Sequence, residues 1–131
     1  MSASQLPEAI INSTTHGLAD MLAKEAIKDV EARYCRYLHT IQWDGFGNLL
    51  TADTKMDVRE DTGMDPVRGV AVIVAQVRFA VHHAYSSHQV HTPQVQLSSP
   101  DSARAVWAMQ DRGVWQPDNS PVEGVGSITG Y

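Results

Sequence analysis

Residues 85–115 decide the fold that we predict. They consist of YSSHQVHTPQVQL at 85–97, SSPDS at 98–102 and ARAVWAMQDRGVW at 103–115. The outer two stretches alternate between apolar and polar side chains, which is typical of half-buried strands. The middle stretch combines serine, proline and aspartate, which favour turns. The segment therefore predicts a β-hairpin with a five-residue connection.

Outward from this hairpin, the chain consists of helical patterns followed by further strands. Helices are predicted at 20–41, 43–50 and 69–83, and strands at 54–58 and 122–131. This order predicts an α+β fold in which about three helices pack on one face of a curved antiparallel sheet. Such a sheet encloses an apolar pocket that is open at one end. Residues 1–18 are interpreted as a loose lead-in and residues 19–131 as a single domain.

The first helix carries an apolar stripe at spacings of three and four. Its members are Ile27, Val30, Tyr34, Leu38 and Ile41. We expect this stripe to face the sheet. Cys35 lies beside the stripe, and burial is the expected role, because a reactive cysteine needs an accessible, electropositive setting.

Composition and charge exclude several functions. The chain has 131 residues, a hydrophobic fraction of 43% and a formal net charge of −5. Nucleic acid is not expected as a partner, because duplex binding needs a clustered basic surface. The apolar run at 70–81 is too short to span a bilayer, which takes about 20 residues. With no secretory signal and a single cysteine, a soluble, cytoplasmic protein is predicted.

No metal or cofactor is predicted. His82, His83, His88 and His91 lie close in sequence, but their spacing matches no zinc pattern. The sequence contains no glycine-rich phosphate loop and no nucleophile elbow, so nucleotide binding and covalent catalysis are disfavoured. His82 and His83 are expected on the surface at the end of the third helix, and His91 on the outer face of its strand.

Two strand residues are candidates for proton transfer. His88 shares a face with Val90, where it suits a general acid or base near neutral pH. Asp111 shares a face with Trp107 and Met109, so its pKa should be raised by burial. It then acts as an acid or orients His88. The alternative is an aspartate at a strand end, in water.

Two residues of the first helix are candidates to assist them. Tyr34 can donate a hydrogen bond to a developing enolate oxygen, or it is simply a core aromatic. His39 lies about 140° around the helix from Tyr34, so the two can flank one cavity. The alternative for His39 is a surface histidine that is stabilised by the helix dipole.

An ordered set of short stretches resembles a known family. The set is ARYCRYLH at 32–39, Trp43-Asp44, LLTAD at 49–53, Gly69, HQVHTPQV at 88–95 and ARAVWAMQD at 103–111. It is similar to the SnoaL-like branch of the nuclear-transport-factor-like α+β cone proteins, over about residues 23–131. That superfamily includes polyketide cyclases, scytalone dehydratase, bile-acid dehydratases, ketosteroid isomerase and epoxide hydrolases.

The resemblance implies a site as well as a fold. The shared chemistry is removal of a proton next to a carbonyl, or protonation of a leaving oxygen, inside an apolar cone. The catalytic positions of the dehydratase members fall here on Tyr34, His39, His88 and Asp111. The pocket walls are expected to include Trp43, Val90, Trp107 and Met109.

The chain departs from the family pattern in two places. His39 stands where an aspartate is usual, and a second histidine cannot supply the negative charge that raises the basicity of His88. The family also usually has one more strand after the glycine-rich one, so the last strand is expected to be lacking here or to come from elsewhere.

Two functions remain open from the sequence. The first is a cofactor-independent lyase or isomerase that dehydrates, isomerises or cyclises a hydrophobic cyclic or polyketide-like molecule. In it, His88 moves the proton and Tyr34 stabilises the oxyanion. The second is a non-catalytic binding or dimerisation module that retains the fold. A homodimer or higher homo-oligomer is expected in either case.

Overall fold

The computed structural model describes the backbone of residues 8–82, 84–115 and 122–130, and the side chains of residues 17–82 and 84–114. The helices are α1 (Glu8–His39), α2 (Trp43–Asn48), α3 (Arg59–Thr62) and α4 (Val70–Ala80). The strands are β1 (Lys55–Met56), β2 (Val67–Arg68), β3 (Ala84–Val90), β4 (Gln94–Ser99), β5 (Ser102–Trp115) and β6 (Val122–Gly130). The predicted α+β class is confirmed. His83, residues 1–7 and the predicted turn at 116–121 lie outside the described residues.

Helix α1 begins at Glu8, twelve residues before the predicted start at Asp20. The division between a lead-in and a domain therefore stays a prediction. The helix ends at His39, and Ile41 follows with a positive φ of 56°. Since this backbone conformation cannot continue a helix, the predicted extension to residue 41 is wrong.

The inward face of α1 differs from the predicted stripe. Leu38 and Cys35 are buried, whereas Val30 and Ile41 are 45% and 64% exposed. The face runs instead through residues 27, 31, 34, 35 and 38, which also keep helical spacing. The predicted stripe included Val30 because its side chain is apolar, whereas the inward-facing residue is its charged neighbour Glu31. The stripe was wrong at residue 41 because that residue lies beyond the end of the helix.

The hydrophobic core lies where α1, α2 and α4 meet. Leu38, Phe46 and Ile73, one from each helix, are almost fully buried. Helix α2 can approach α1 closely because Gly45 has no side chain. A Cβ at that position would lie 2.9 Å from Cε1 of Tyr37. This packing fixes the end of α1 that carries Tyr34 and His39.

Strand β5 is the centre of the sheet. It pairs with β3 from Ala84↔Trp115 to Val90↔Met109, with β4 from Gln94↔Val106 to Ser99↔Ser102, and with β6 from Ala105↔Gly130 to Gly113↔Val122. Because β6 overlaps both of the other ranges, β3 and β4 must lie end to end along the opposite edge of β5. The predicted strand at 85–97 is therefore two strands, interrupted at 91–93, where Pro93 has no N–H to donate.

The connection of the hairpin is shorter than predicted. Only Pro100 and Asp101 separate β4 from β5, and the register shifts between Leu97 and Ser99. The Ser99 hydroxyl donates a hydrogen bond of 2.7 Å to the Asp101 carboxylate, which stabilises the tight turn. The remaining small elements, α3 and β2, were not predicted.

Candidate active site

His88 and Asp111 face each other across the sheet. They are register partners on β3 and β5, so both side chains project from the same face. Ala105, Trp107 and Met109, which alternate along β5 up to Asp111, are buried. That face is therefore the one that packs against α1. The distance from His88 Nε2 to Asp111 Oδ1 is 3.9 Å.

The hydrogen-bond pattern of the ladder brings these two side chains together. The N–H of His91 donates to the carbonyl of Ala108 at 2.9 Å, so residues 89 and 91 occupy hydrogen-bonded pairs and His88 a non-hydrogen-bonded pair. Side chains in non-hydrogen-bonded pairs lie closer together across an antiparallel ladder.

His39 contacts the same place from the end of α1. Its Nε2 accepts a hydrogen bond of 2.6 Å from the backbone N–H of His88, and the two imidazole centroids are 5.9 Å apart. His39 therefore fixes the position of β3.

The pair has unused hydrogen-bonding capacity. His88 Nδ1 and Asp111 Oδ1 are buried and have no hydrogen-bond partner. At 3.9 Å the two side chains interact electrostatically without a direct hydrogen bond. Buried polar atoms of this kind are unusual in the structure of a protein and are frequent where a site handles protons.

Burial shifts the pKa of both members toward the neutral forms. Desolvation lowers the pKa of His88, the Asp111 carboxylate opposes that change, and His39 adds to it. Desolvation raises the pKa of Asp111, His88 opposes that change, and Asp61 on α3 raises it further. A histidine that stays neutral at physiological pH is a suitable proton acceptor.

Tyr34 lies on α1 within electrostatic reach of the pair. Burial raises its pKa, and the carboxyls of Glu31 and Asp111 raise it further. Its ring packs on Phe46, with centroids 5.3 Å apart. The phenol therefore keeps its proton and is available as a hydrogen-bond donor.

Cys35 does not have the properties of a nucleophile. Only 8% of its surface is exposed, and burial together with Glu31 and Asp111 raises its pKa to about 11. The thiolate is the reactive form, and it is scarce at neutral pH under these conditions. The predicted burial of Cys35 is confirmed.

Glu31 was not among the predicted site residues. It is half-buried on the inward face of α1, its Oε1 is buried without a hydrogen-bond partner, and burial raises its pKa. Helical spacing in the sequence could have identified Glu31, because residues 27, 31, 34 and 38 lie on one face of a helix. The predicted apolar stripe included Val30, the neighbouring residue, in place of Glu31.

Two cavities lie along the inner face of the sheet, one on each side of the pair. The first, of about 700 Å³, includes Ala23, Ile27, Glu31, Leu97, Ala105 and Trp107 in its lining. The second, of about 600 Å³, includes Leu38, His39, Trp43, Val81, Ala84 and Ser86. Residues 103, 105 and 107 of β5 line the first cavity, and residues 84 and 86, which pair with 115 and 113, line the second. His88 and Asp111 therefore lie between the two cavities along the strands.

The predicted wall residues divide between these cavities and the core. Trp107 lines the first cavity and Trp43 the second. Met109 is buried and Val90 half-buried, and neither lines either of these two cavities. His82 is exposed, as predicted, and His91 is exposed just beyond the end of β3. Within the described residues, no three His, Cys, Asp or Glu side chains converge as a metal site would need.

The family of this chain follows from its match to a family model. A family model, the SnoaL-like domain, matches residues 19–129. This chain belongs to the SnoaL-like family. The resemblance predicted from the short stretches is confirmed. No curated protein matches the sequence.

Solved structures share the fold at low sequence identity. A scytalone dehydratase candidate from Novosphingobium aromaticivorans is 11% identical, with a TM-score of 0.75 over 85% of this chain and 73% of that one. A type 2 hexachlorocyclohexane dehydrochlorinase, LinA, is 13% identical, with a TM-score of 0.75 over 86% and 76%. ActVI-ORFA from Streptomyces coelicolor is 12% identical, with a TM-score of 0.62 over 82% and 83%. At these identities the likeness shows a common SnoaL-like fold.

In this SnoaL-like chain the carboxylate beside His88 comes from the sheet. Asp111 occupies the cross-strand position, while His39 at the end of α1 contacts the backbone N–H of His88. A histidine–carboxylate pair is thus present between two neighbouring strands. Among the described helices, none has an apolar segment long enough to cross a membrane.

Proposed function

We propose that this protein catalyses cofactor-independent acid–base chemistry, as a lyase or isomerase, on a hydrophobic cyclic or polyketide-like small molecule. The observation that carries the proposal is the His88–Asp111 pair, with its buried, unpartnered Nδ1 and Oδ1 on the inner face of the sheet. The second cavity, whose wall includes Leu38, Trp43 and Val81 together with His39, gives such a molecule room beside the pair. A cytoplasmic location belongs to the same proposal.

The first step uses His88 as the base. The neutral imidazole accepts a proton from a carbon next to the substrate carbonyl, and the electron pair of the broken C–H bond moves into an enolate. The Asp111 carboxylate stabilises the imidazolium that forms, which is the role of a carboxylate beside a catalytic histidine. The Tyr34 hydroxyl donates a hydrogen bond to the enolate oxygen.

The second step determines the product. In a dehydration, the imidazolium gives its proton to the leaving hydroxyl, the C–O bond breaks, and water departs as the double bond forms. In an isomerisation, the same proton returns to a different carbon. His88 ends neutral in both cases, so no cofactor or redox partner is needed for the reaction to balance.

A non-catalytic binding module is the second candidate. Two observations favour it. Asp111 Oδ1 lies 3.9 Å from His88 Nε2, beyond hydrogen-bond distance, and His39 is used to hold the backbone of β3. This candidate predicts ligand binding with no turnover, so a rate measurement distinguishes it from the enzyme.

Proton abstraction can be tested without knowing the substrate. We would measure deuterium incorporation next to the carbonyl of a panel of cyclic ketones, including 1-tetralone and 2-tetralone, by NMR in D₂O. The wild type should accelerate exchange, and His88→Ala should lower the catalysed rate about a hundredfold, the usual contribution of a general base.

His91→Ala is the matched control for this experiment, because His91 is exposed just beyond the same strand. It should keep the wild-type rate. No acceleration of any ketone by the wild type, or equal rates in the wild type and His88→Ala, contradicts the catalytic proposal and supports the binding module.

We also propose that two copies pair through the outer face of the sheet. Tyr85 and Val114 are register partners there, 73% and 38% exposed. Light scattering should give a dimer mass for the wild type and a monomer mass for Tyr85→Arg. Phe79→Arg on α4, where Phe79 is 82% exposed, is the control and should stay dimeric. A monomeric wild type contradicts this pairing.

A further inference from the structure

The first cavity is separate from the His88–Asp111 pair. It lies between α1 and the β4–β5 hairpin, has a volume of about 700 Å³, and includes neither His88 nor Asp111 in its lining. Most of the lining is apolar, with Ala23, Ile27, Leu97, Ala103, Ala105 and Trp107. A cavity of this size with apolar walls and a few fixed polar groups is typical of a small-molecule binding site.

Glu31 is one of four polar residues in the lining of this cavity, with Ser99, Asp101 and Ser102. Its Oε1 is buried and accepts no hydrogen bond, although a carboxylate has room for several. Leaving a carboxyl in that state costs free energy, unless a partner compensates for the lost water. The packing therefore holds a hydrogen-bond acceptor without a protein donor against an apolar wall.

The charges around the cavity select the kind of partner. Among the described residues that line it, the ionisable ones are Glu31 and Asp101, and none is basic. A cleft lined by one sign of charge attracts ligands of the opposite sign. Trp107 forms part of the wall, and the face of an indole attracts cations. An anionic ligand would meet repulsion from these two carboxyl groups, and the described lining residues include no basic side chain to compensate for it.

We propose that this cavity binds an apolar molecule carrying one protonated amine, with the ammonium group against Glu31 and the apolar body against Trp107. The inference goes beyond the acid–base reaction and does not depend on it. Burial raises the pKa of Glu31, which is the expected state of such a carboxyl before a cation pairs with it.

The test compares three probes with one apolar body. They are 1-naphthylmethylamine, 1-naphthylmethanol and 1-naphthoate, and their dissociation constants would be measured by calorimetry with the full chain. The amine should bind at least about tenfold more tightly than the alcohol, as expected for a charge-assisted contact, and the carboxylate should bind most weakly.

Two variants locate the contact. Glu31→Gln keeps the side-chain shape and should remove the preference for the amine, while the alcohol binds as before. Glu25→Gln is the matched control, since Glu25 lies on the outer face of the same helix and pairs with Lys28. It should keep the wild-type preference. Ala103→Leu, which narrows the cavity, should weaken all three probes.

The affinity for the amine should also change with pH in a defined direction. A cation needs ionised Glu31, so the affinity for the amine should rise as the pH increases through the pKa of that carboxyl. The other ionisable groups in reach are Tyr34 and Cys35, which interact with Glu31, and Asp101. Tyr34 and Cys35 have raised pKa values, so they stay neutral over this range.

Several results would overturn the proposal. Equal affinity for the amine and the alcohol, with both weakened by Glu31→Gln, would show that a protonated Glu31 binds neutral oxygen compounds instead. Preference for the carboxylate, an amine preference that survives Glu31→Gln, or no binding of any probe would each contradict an amine site.

Discussion

Asp111 and Glu31 are two carboxyl groups among the described residues of the inner side of this fold, and they differ in their partners. Both are partly buried, both have an oxygen without a hydrogen-bond partner, and burial raises the pKa of both. Asp111 has an imidazole 3.9 Å away, whereas Glu31 faces a cavity with apolar walls. A carboxyl beside a titratable partner can move protons within the protein, but one facing an apolar cavity can only be satisfied by what enters. We therefore assign catalysis to the first and ligand recognition to the second.

Of the substitutions that distinguish the surroundings of Asp111 from those of Glu31, Asp111→Asn should have the largest effect. Asp111→Asn keeps the shape of the side chain and removes the charge that stabilises the His88 imidazolium, so the ketone exchange rate should fall about tenfold to a hundredfold. The measurement is the same NMR exchange assay that tests His88.

Asp29→Asn is the control for Asp111→Asn. Asp29 pairs with Arg33 on the exposed face of α1, so its replacement removes one charge far from the pair. It should leave the exchange rate unchanged. An unchanged rate in Asp111→Asn would show that the carboxyl has no role in proton transfer, and the contrast between the two regions would be lost.

A smaller effect, on stability, is expected at Glu31. The folded state resists ionisation of this carboxyl, so the free energy of unfolding of the wild type should decline as the pH rises from the ordinary glutamate pKa of about 4.3 through the raised one. Glu31→Gln removes this decline. Its gain over the wild type should be near zero at pH 4 and reach about 1 kcal/mol at neutral pH, since partial exposure screens the cost.

Urea denaturation at several pH values checks this expectation. Glu25→Gln again serves as the control, and it should lose up to about 0.5 kcal/mol with its exposed ion pair and show no gain at any pH. A Glu31→Gln variant that is less stable than the wild type at neutral pH would mean that the carboxylate has a stabilising partner in the folded protein.

The sequence predicted the orientation of Asp111 far better than that of Glu31. Alternation along β5 placed Trp107, Met109 and Asp111 on one face. Because side chains of a strand alternate with a period of two, the face of every residue is determined once one face is known to be buried. The position of Glu31 depended on the rotation of a helix, where residues 30 and 31 differ by about 100°. The apolar side chain of Val30 was preferred, because a charged residue is rarely buried without a partner.

The pairing of His88 with Asp111 needed the structure itself. The sequence placed each residue on an inward face, but their register depends on the break at 91–93 and on the two-residue turn that replaced the predicted five-residue one. A slip of one residue would turn one of the two side chains to the outer face. The contact from His39 also could not be foreseen, since it joins a helix end to a backbone N–H 49 residues away.

An NMR titration of the His88 imidazole tests the central claim most directly, namely that His88 and Asp111 act as a pair. The pKa of His88 should lie below the ordinary histidine value of about 6.5, fall further in Asp111→Asn, and rise in His39→Gln. Glu31→Gln should leave it unchanged. A His88 pKa that stays the same or rises in Asp111→Asn would contradict the account, because the two residues would then not act as a pair.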